Sequence, residues 1–154
     1  MSEFSISSSN FKEGEEIPQK FGYKHGNEQP SITIGPISEN YQAIALIMDD
    51  PDAMGAVGKV WVHWLQYYNT HSSLVEEWKL TDQGVGIQVE GKTDFGEIGY
   101  GGPAPPDKRH TYVFKAYALD TNLNLNPGYS KQELEDAMKG HILAEAKLTG
   151  TFAP

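Results

Sequence analysis

Three stretches of this chain are apolar on both faces of an extended strand, and no other feature limits its fold so strongly. "YQAIALIMDD" (Tyr41 to Asp50) is apolar at most positions. "KVWVHWLQYYN" (Lys59 to Asn69) and "HTYVFKAYALD" (His110 to Asp120) read the same way. A strand that buries both faces belongs in the middle of a covered sheet. Side chains alternate along a strand. Trp61, His63 and Leu65 are therefore expected on one face, with Val60, Val62 and Trp64 on the other. By the same rule His110, Tyr112 and Phe114 share a face, opposite Val113, Tyr117 and Leu119.

The remaining segments fit around such a sheet. "PSITIGPI" (Pro30 to Ile37) alternates as a half-buried strand does, and a short strand fits near Ile87 to Val89. Ser73 and Glu76 form a capping box that predicts a short helix over Ser73 to Trp78, after the third long strand. Ser130 and Glu133 form a second one. Leu134, Ala137 and Met138 follow at helical spacing, and Gly140 stands where a helix ends, so a helix is predicted from about 131 to 139. Ile142, Ala144, Ala146, Leu148 and Phe152 then recur at period two, which predicts a final strand. With 16 Gly and 9 Pro marking turns, the fold class is mainly β: a two-sheet β-sandwich in one domain, 1–154.

Composition narrows function. There are no cysteines, so disulfide and thiolate chemistry are excluded. Twelve basic against 21 acidic residues give a net charge of −9, which repels nucleic acid and anionic membranes. No run approaches the roughly 20 apolar residues that span a bilayer. The first residues lack a basic and then apolar leader pattern, so a cytoplasmic location is expected.

Three features could carry chemistry. The first is "DDPDA", where Asp49, Asp50 and Asp52 cluster around Pro51 at a strand end. Proline fixes φ and lacks an N–H, so the strand stops there and the carboxylates stand at the sheet end. Acidic turns of this kind are common, and alone this one is a weak signal. The second is His63 on an apolar strand. Asp50 and His63 flank one strand-to-strand connection, which would bring them within hydrogen-bond reach. The carboxylate would raise the imidazole pKa and burial would lower it, and the sequence does not settle the balance. The third is "YGGPAPPDKRHTY", in which a Gly- and Pro-rich loop feeds His110 and Tyr112. Together they propose one cavity with two imidazoles, a phenol, a carboxylate, an indole and exposed backbone N–H groups. That inventory suits a small anion such as phosphate, with the histidines and Tyr112 donating and an Asp orienting one imidazole.

The chain also resembles the phosphatidylethanolamine-binding protein family, which includes the Raf-kinase-inhibitor-like proteins and short bacterial and archaeal forms. The segments that carry the resemblance run from "FKEGEEIPQKF" through "DDPDA", "VHWL", "TDFGEIGYGGPAPP" and "RHTYVFKAYALD" to "AMKGHILAEAKLTGTF". It implies a β-sandwich with a small anion-binding pocket at one end. Matched motif by motif, it implies ligand-binding roles for Asp50, Asp52, Trp61, His63, Gly102, Pro103, His110 and Tyr112. Several positions depart from the pattern. Met54 replaces a frequent proline, Ala104 stands where many short relatives have cysteine, and "KHGNEQPS" lacks the usual Asp-Gly. The chain stops at "TGTFAP", so the extra C-terminal helix of animal members, kinase regulation and lipid headgroup specificity are not carried over.

The leading expectation is a non-enzymatic binding protein for phosphate-like or other small anionic groups. One alternative is a regulator of a protein partner, such as a serine-protease or kinase inhibitor. The other is a hydrolase of phosphate esters. No catalytic residue is assigned, because the chain has no Gly-x-Ser-x-Gly elbow and no His-Glu-x-x-His helix. His25, His63, His71, His110 and His141 lack close metal-ligand spacing, so neither a metal nor a cofactor is expected. A homodimer, as in short relatives, stays open; no apolar stripe in the sequence marks its interface.

Overall fold

All eight residues of the strand Ala43–Asp50 are buried, as its two apolar faces require. A computed structural model describes residues 3–70, 76–80 and 88–154. In chain order the elements are β1 (Ser5–Ser7), β2 (Thr33–Gly35), β3 (Ala43–Asp50), α1 (Ala53–Val57), β4 (Trp61–Asn69), β5 (Trp78–Lys79), β6 (Gln88–Glu90), β7 (His110–Leu119), α2 (Lys131–Met138) and β8 (Ile142–Phe152). They build two antiparallel sheets, one ordered β1-β2-β5 and the other β6-β4-β3-β7-β8. No helix among the described residues is long and apolar enough to cross a membrane.

β3 is the middle strand of the larger sheet, and each of its faces meets a different core. Ile44, Leu46 and Met48 pack with Tyr112, Phe114 and Trp64 against Ile6, Ile34 and Trp78 of the smaller sheet. Ala43, Ala45 and Ile47 lie in the second core with Val62, Leu65, Leu134 and Met138, under α2. Each fully buried side chain of this size contributes about 1.5–3 kcal/mol.

The helix α2 and the strand β8 fall where periodicity put them. Ser130 Oγ accepts from the Glu133 N–H at 3.0 Å, and Glu133 Oε1 accepts from the Ser130 N–H at 3.1 Å. This reciprocal pair satisfies two backbone donors that the helix leaves free. Replacing Ser130 with Ala should therefore cost about 0.5–2 kcal/mol in urea denaturation, and replacing it with Gly only a few tenths. Equal losses for the two variants would show that the hydroxyl does not cap the helix.

Elsewhere the outcome differs in detail. The strand expected over Pro30 to Ile37 shortens to β2, and Pro36, which has no N–H, follows its end. The helix expected over Ser73 to Trp78 lies in part outside the described residues; its described end is not helical, since Glu76 and Glu77 form a bend and Trp78 belongs to β5. Ile87 of the short strand expected at Ile87 to Val89 is likewise outside them; Val89 lies in β6. The five-residue helix α1, directly after "DDPD", was not expected.

The facing of β4 is a correction. Trp64 pairs with Met48 and Val62 with Asp49, so His63 is an extra residue with no partner on β3. This bulge shifts the alternation by one residue. Leu65 accordingly joins Val62 in the core under α2, and Trp64 joins the core between the sheets. His63 and Trp64, adjacent in sequence, thus lie on the same side, where His63 meets Tyr112.

Candidate functional site

The ends of β3, β4 and β7 converge where Pro51 stops β3, and a cavity of about 130 Å³ opens there. Asp50 enters from β3, Trp61 and His63 from β4, and His110 and Tyr112 from β7. Ala53, Ala56 and Val57 of α1 close one side, with Phe95, Ala104 and Pro106 on the others. The Tyr112 ring lies 5.1 Å from the His63 ring and 6.3 Å from the His110 ring, centroid to centroid. Both imidazoles therefore belong to one cavity.

The carboxylate does not pair with the histidine the sequence suggested. Asp50 Oδ2 is 2.7 Å from Nδ1 of His110, not of His63. β3 lies between β4 and β7, so either strand could present a histidine to Asp50. The bulge gives His63 another partner, the Gly101 carbonyl, 2.7 Å from its Nδ1. Gly101 N–H also donates to the His63 carbonyl at 2.8 Å, which clamps the loop to the strand.

These partners set the two imidazoles apart in charge. A carbonyl only accepts, so His63 carries its proton on Nδ1. Burial pushes the His63 pKa down, outweighing the carbonyl bonds and the Asp50 charge that push it up. His63 is thus neutral near pH 7. Burial also opposes charge on His110, but there the hydrogen bonds and charges of two carboxylates prevail and its pKa is raised. The second carboxylate is Asp107, whose Oδ1 lies 2.7 Å from Nε2 of His110. With both ring nitrogens 2.7 Å from carboxylate oxygens, the geometry favours the His110 imidazolium, each N–H donating to an acid. The expectation that both histidines donate to a ligand needs correction: in this arrangement Gly101, Asp50 and Asp107 take their N–H groups.

The free polar atoms lie elsewhere in the cavity. Asp50 Oδ1, Trp61 Nε1 and Tyr112 OH are buried without a hydrogen-bond partner among the described residues. Burial, reinforced by the Asp50 charge, pushes the Tyr112 pKa up, so its O–H stays a donor. Buried polar groups without partners are costly and rare, and several in one cavity signal a missing partner.

Three expected site residues stand behind the wall rather than on it. Asp52 Oδ2 accepts from the Thr111 N–H at 2.8 Å and ties the turn to the strand that carries His110. Pro103 O accepts from the Tyr23 N–H at 2.9 Å. Gly102 N–H donates to Asn27 Oδ1 at 2.7 Å. A Cβ on Gly102 would collide with the Phe21 carbonyl oxygen and lie 2.9 Å from Tyr23 N. Gly102→Ala should therefore displace the loop at about 1–3 kcal/mol, at the upper end because backbone is struck. An unchanged denaturation midpoint would contradict that contact.

Sequence reasoning missed Phe95, Ala104, Pro106 and the α1 residues. Phe95 stacks on Tyr23 with centroids 4.0 Å apart, and its ring meets Trp61 at 5.6 Å and His63 at 5.4 Å. Its only sequence signal was an aromatic within a Gly-rich loop. Asp94, beside it, accepts from the Val62 N–H at 2.7 Å and pairs with Lys59 at 2.8 Å, fixing this loop to β4.

The same arrangement of strands occurs in solved structures. A Chlamydia trachomatis protein described as a phosphatidylethanolamine-binding protein homologue superposes with a TM-score of 0.83 at 33% identity, covering 98% of this chain and 97% of that one. YbcL of E. coli, described as a member of the mammalian family of that name, gives 0.82 at 28% identity and covers 98% of each chain. The "UPF0098 protein" of Methanothermobacter thermautotrophicus is 39% identical over 144 residues, 92% of this chain and 93% of its own. The Chlamydia muridarum protein of the same name is 38% identical over 149 residues, 96% of this chain and 97% of its own. The family model for phosphatidylethanolamine-binding protein matches residues 7–153, and with these relatives it shows that the chain belongs to that family.

Proposed function

We propose that this protein is a non-enzymatic binding protein whose cavity takes a small oxyanion of the phosphate type. The observation that carries this reading is the buried, unpartnered donor Trp61 Nε1 together with the Tyr112 hydroxyl, in the cavity that the His110 imidazolium lines. An oxyanion would satisfy both donors and gain from the imidazolium charge, which Asp50 and Asp107 maintain. The size of the cavity favours a single phosphate-like group over a larger ligand. With a net charge of −9 the protein as a whole repels anions, so recognition has to be local.

Titration of inorganic phosphate at pH 6, followed by NMR, tests the reading. The Trp61 indole N–H and the rings of His63 and His110 should shift together along one saturable curve. Shifts confined to surface lysines, or no saturation up to tens of millimolar, would overturn it.

A further inference from the structure

Two carboxylates claim the two nitrogens of one imidazole, and they differ in how firmly they are held. Asp50 Oδ2 lies 2.7 Å from Nδ1 of His110, and Asp107 Oδ1 lies 2.7 Å from Nε2. The Asp50 side chain is 4% exposed and stands at the end of β3, so it has no room to withdraw. The Asp107 side chain is 43% exposed and belongs to the loop that precedes β7. It can turn into water by side-chain rotation alone, whereas His110 is wholly buried. His110 is its only ionic partner among the described residues, since the nearby Arg109 guanidinium is taken by Glu16 at 3.0 Å. Asp107 is not on the cavity wall, but Pro106 before it and the His110 ring are. So exposed a partner adds little to stability, which leaves its place on Nε2 to be explained.

We infer that Asp107 is an internal competitor, a carboxylate that holds Nε2 of His110 until a ligand displaces it and so sets which anions the cavity accepts. This rests on the oxyanion reading above and adds the residue that governs its selectivity. A ligand that reaches Nε2 takes over a charge-assisted hydrogen bond that is already made. The exchange yields only the difference between the two acceptors. A simple carboxylate such as acetate replaces like with like and gains nothing at that atom. A phosphate-type ion brings further oxygens, which accept from Trp61 Nε1 at the same time. Asp107 also sets a second negative charge near Asp50, which repels any anion that has not displaced it.

Acetate and inorganic phosphate, titrated at pH 6 into wild type, Asp107→Asn and Asp107→Ala, test this role. That pH lies below the ordinary imidazole value of 6.5, and Asp50 stays in place, so His110 keeps its charge in all three. Acetate should not saturate wild type and should saturate Asp107→Ala. Phosphate should bind Asp107→Ala at least about 10-fold tighter, the effect of one freed hydrogen bond from a charged donor. Asp107→Asn should fall between, because its amide oxygen still accepts from Nε2–H but carries no charge. The exposure of Asp107 means that both variants should fold as wild type does. Glu97→Gln is the control for charge alone. Glu97 is exposed and accepts from Tyr23 OH at 2.6 Å, so its loss should change either affinity by less than about twofold at about 0.15 M salt.

Weaker phosphate binding by both Asp107 variants would overturn the competitor, since a residue that merely positions His110 has that effect. Equal affinities in the three proteins would overturn it too, as would a gain in Glu97→Gln as large as in Asp107→Ala. In each of these cases saturation of wild type by phosphate leaves the oxyanion cavity standing. Acetate binding gained by Asp107→Ala, with no phosphate binding by any of the proteins, would overturn the oxyanion reading and keep the competitor. No saturable binding of either ion by any of them would overturn both.

Discussion

Replacing His110 with Ala should destabilise the protein by about 3–5 kcal/mol, because it strands the buried Asp50 carboxylate without its cation. With urea m-values of about 1–3 kcal/mol per molar, the midpoint should fall by more than about 1 M. His141 supplies the control. It meets Asp120 at 2.7 Å, the same distance as the His110–Asp50 pair. Yet the His141 and Asp120 side chains are 45% and 46% exposed, against 0% and 4% for the His110 pair. Exposed pairs contribute about 0–1 kcal/mol, so His141→Ala should barely move the midpoint. Burial, not distance, decides between them. The effect also depends on pH. The folded pKa of His110 is raised above its ordinary 6.5, so its charge-linked stability is fully present below that value. It is lost as pH rises through the raised value, and the gap between wild type and His110→Ala should narrow in alkali. A gap independent of pH from 5 to 10 would mean that His110 is not charged in the fold.

Asp50→Asn should leave the fold in place and weaken phosphate binding about 10- to 150-fold, equivalent to about 1.5–3 kcal/mol. The amide keeps the shape but no longer favours the His110 imidazolium. Near-identical circular dichroism spectra, together with a lower titration midpoint for the His110 ring, should accompany the loss. Equal phosphate affinities for the two proteins would reduce "DDPDA" to an acidic turn.

Much of this architecture is legible in the residues because it rests on period and on local chemistry. The two apolar faces of Ala43–Asp50 required a central strand, and the Ser130/Glu133 box with its apolar stripe located α2 almost to the residue. The gathering of Asp50, Trp61, His63, His110 and Tyr112 at one sheet end also followed from strand phase and from where Pro51 ends β3. What escaped was non-local. A one-residue bulge at His63 leaves no mark in the sequence, yet it reverses the facing of every later residue in β4 and gives His63 to Gly101 instead of Asp50. Helix α1 is five residues long and contains Gly55, too short and too weak a helix former to show a period. Phe95, Ala104 and Pro106 reach the cavity through loops whose course tertiary contacts decide.

The central place of β3 has a consequence for synthesis of the chain. Its neighbour β7 begins sixty residues after β3 ends, as the spacing of Asp50 and His110 shows. At ~5–20 residues per second, "AIALIM" waits about 3–12 s on the ribosome before its second partner exists. A strand so apolar and so long unpaired is a template for joining nascent chains to one another. Asp49, Asp50, Pro51 and Asp52 stand at its end through that interval. Three like charges and a residue that cannot donate a ladder hydrogen bond block extension of the strand by a foreign edge. The acidic turn whose Asp50 later orients an imidazole thus first serves as a gatekeeper, guarding the growing polypeptide from its own copies.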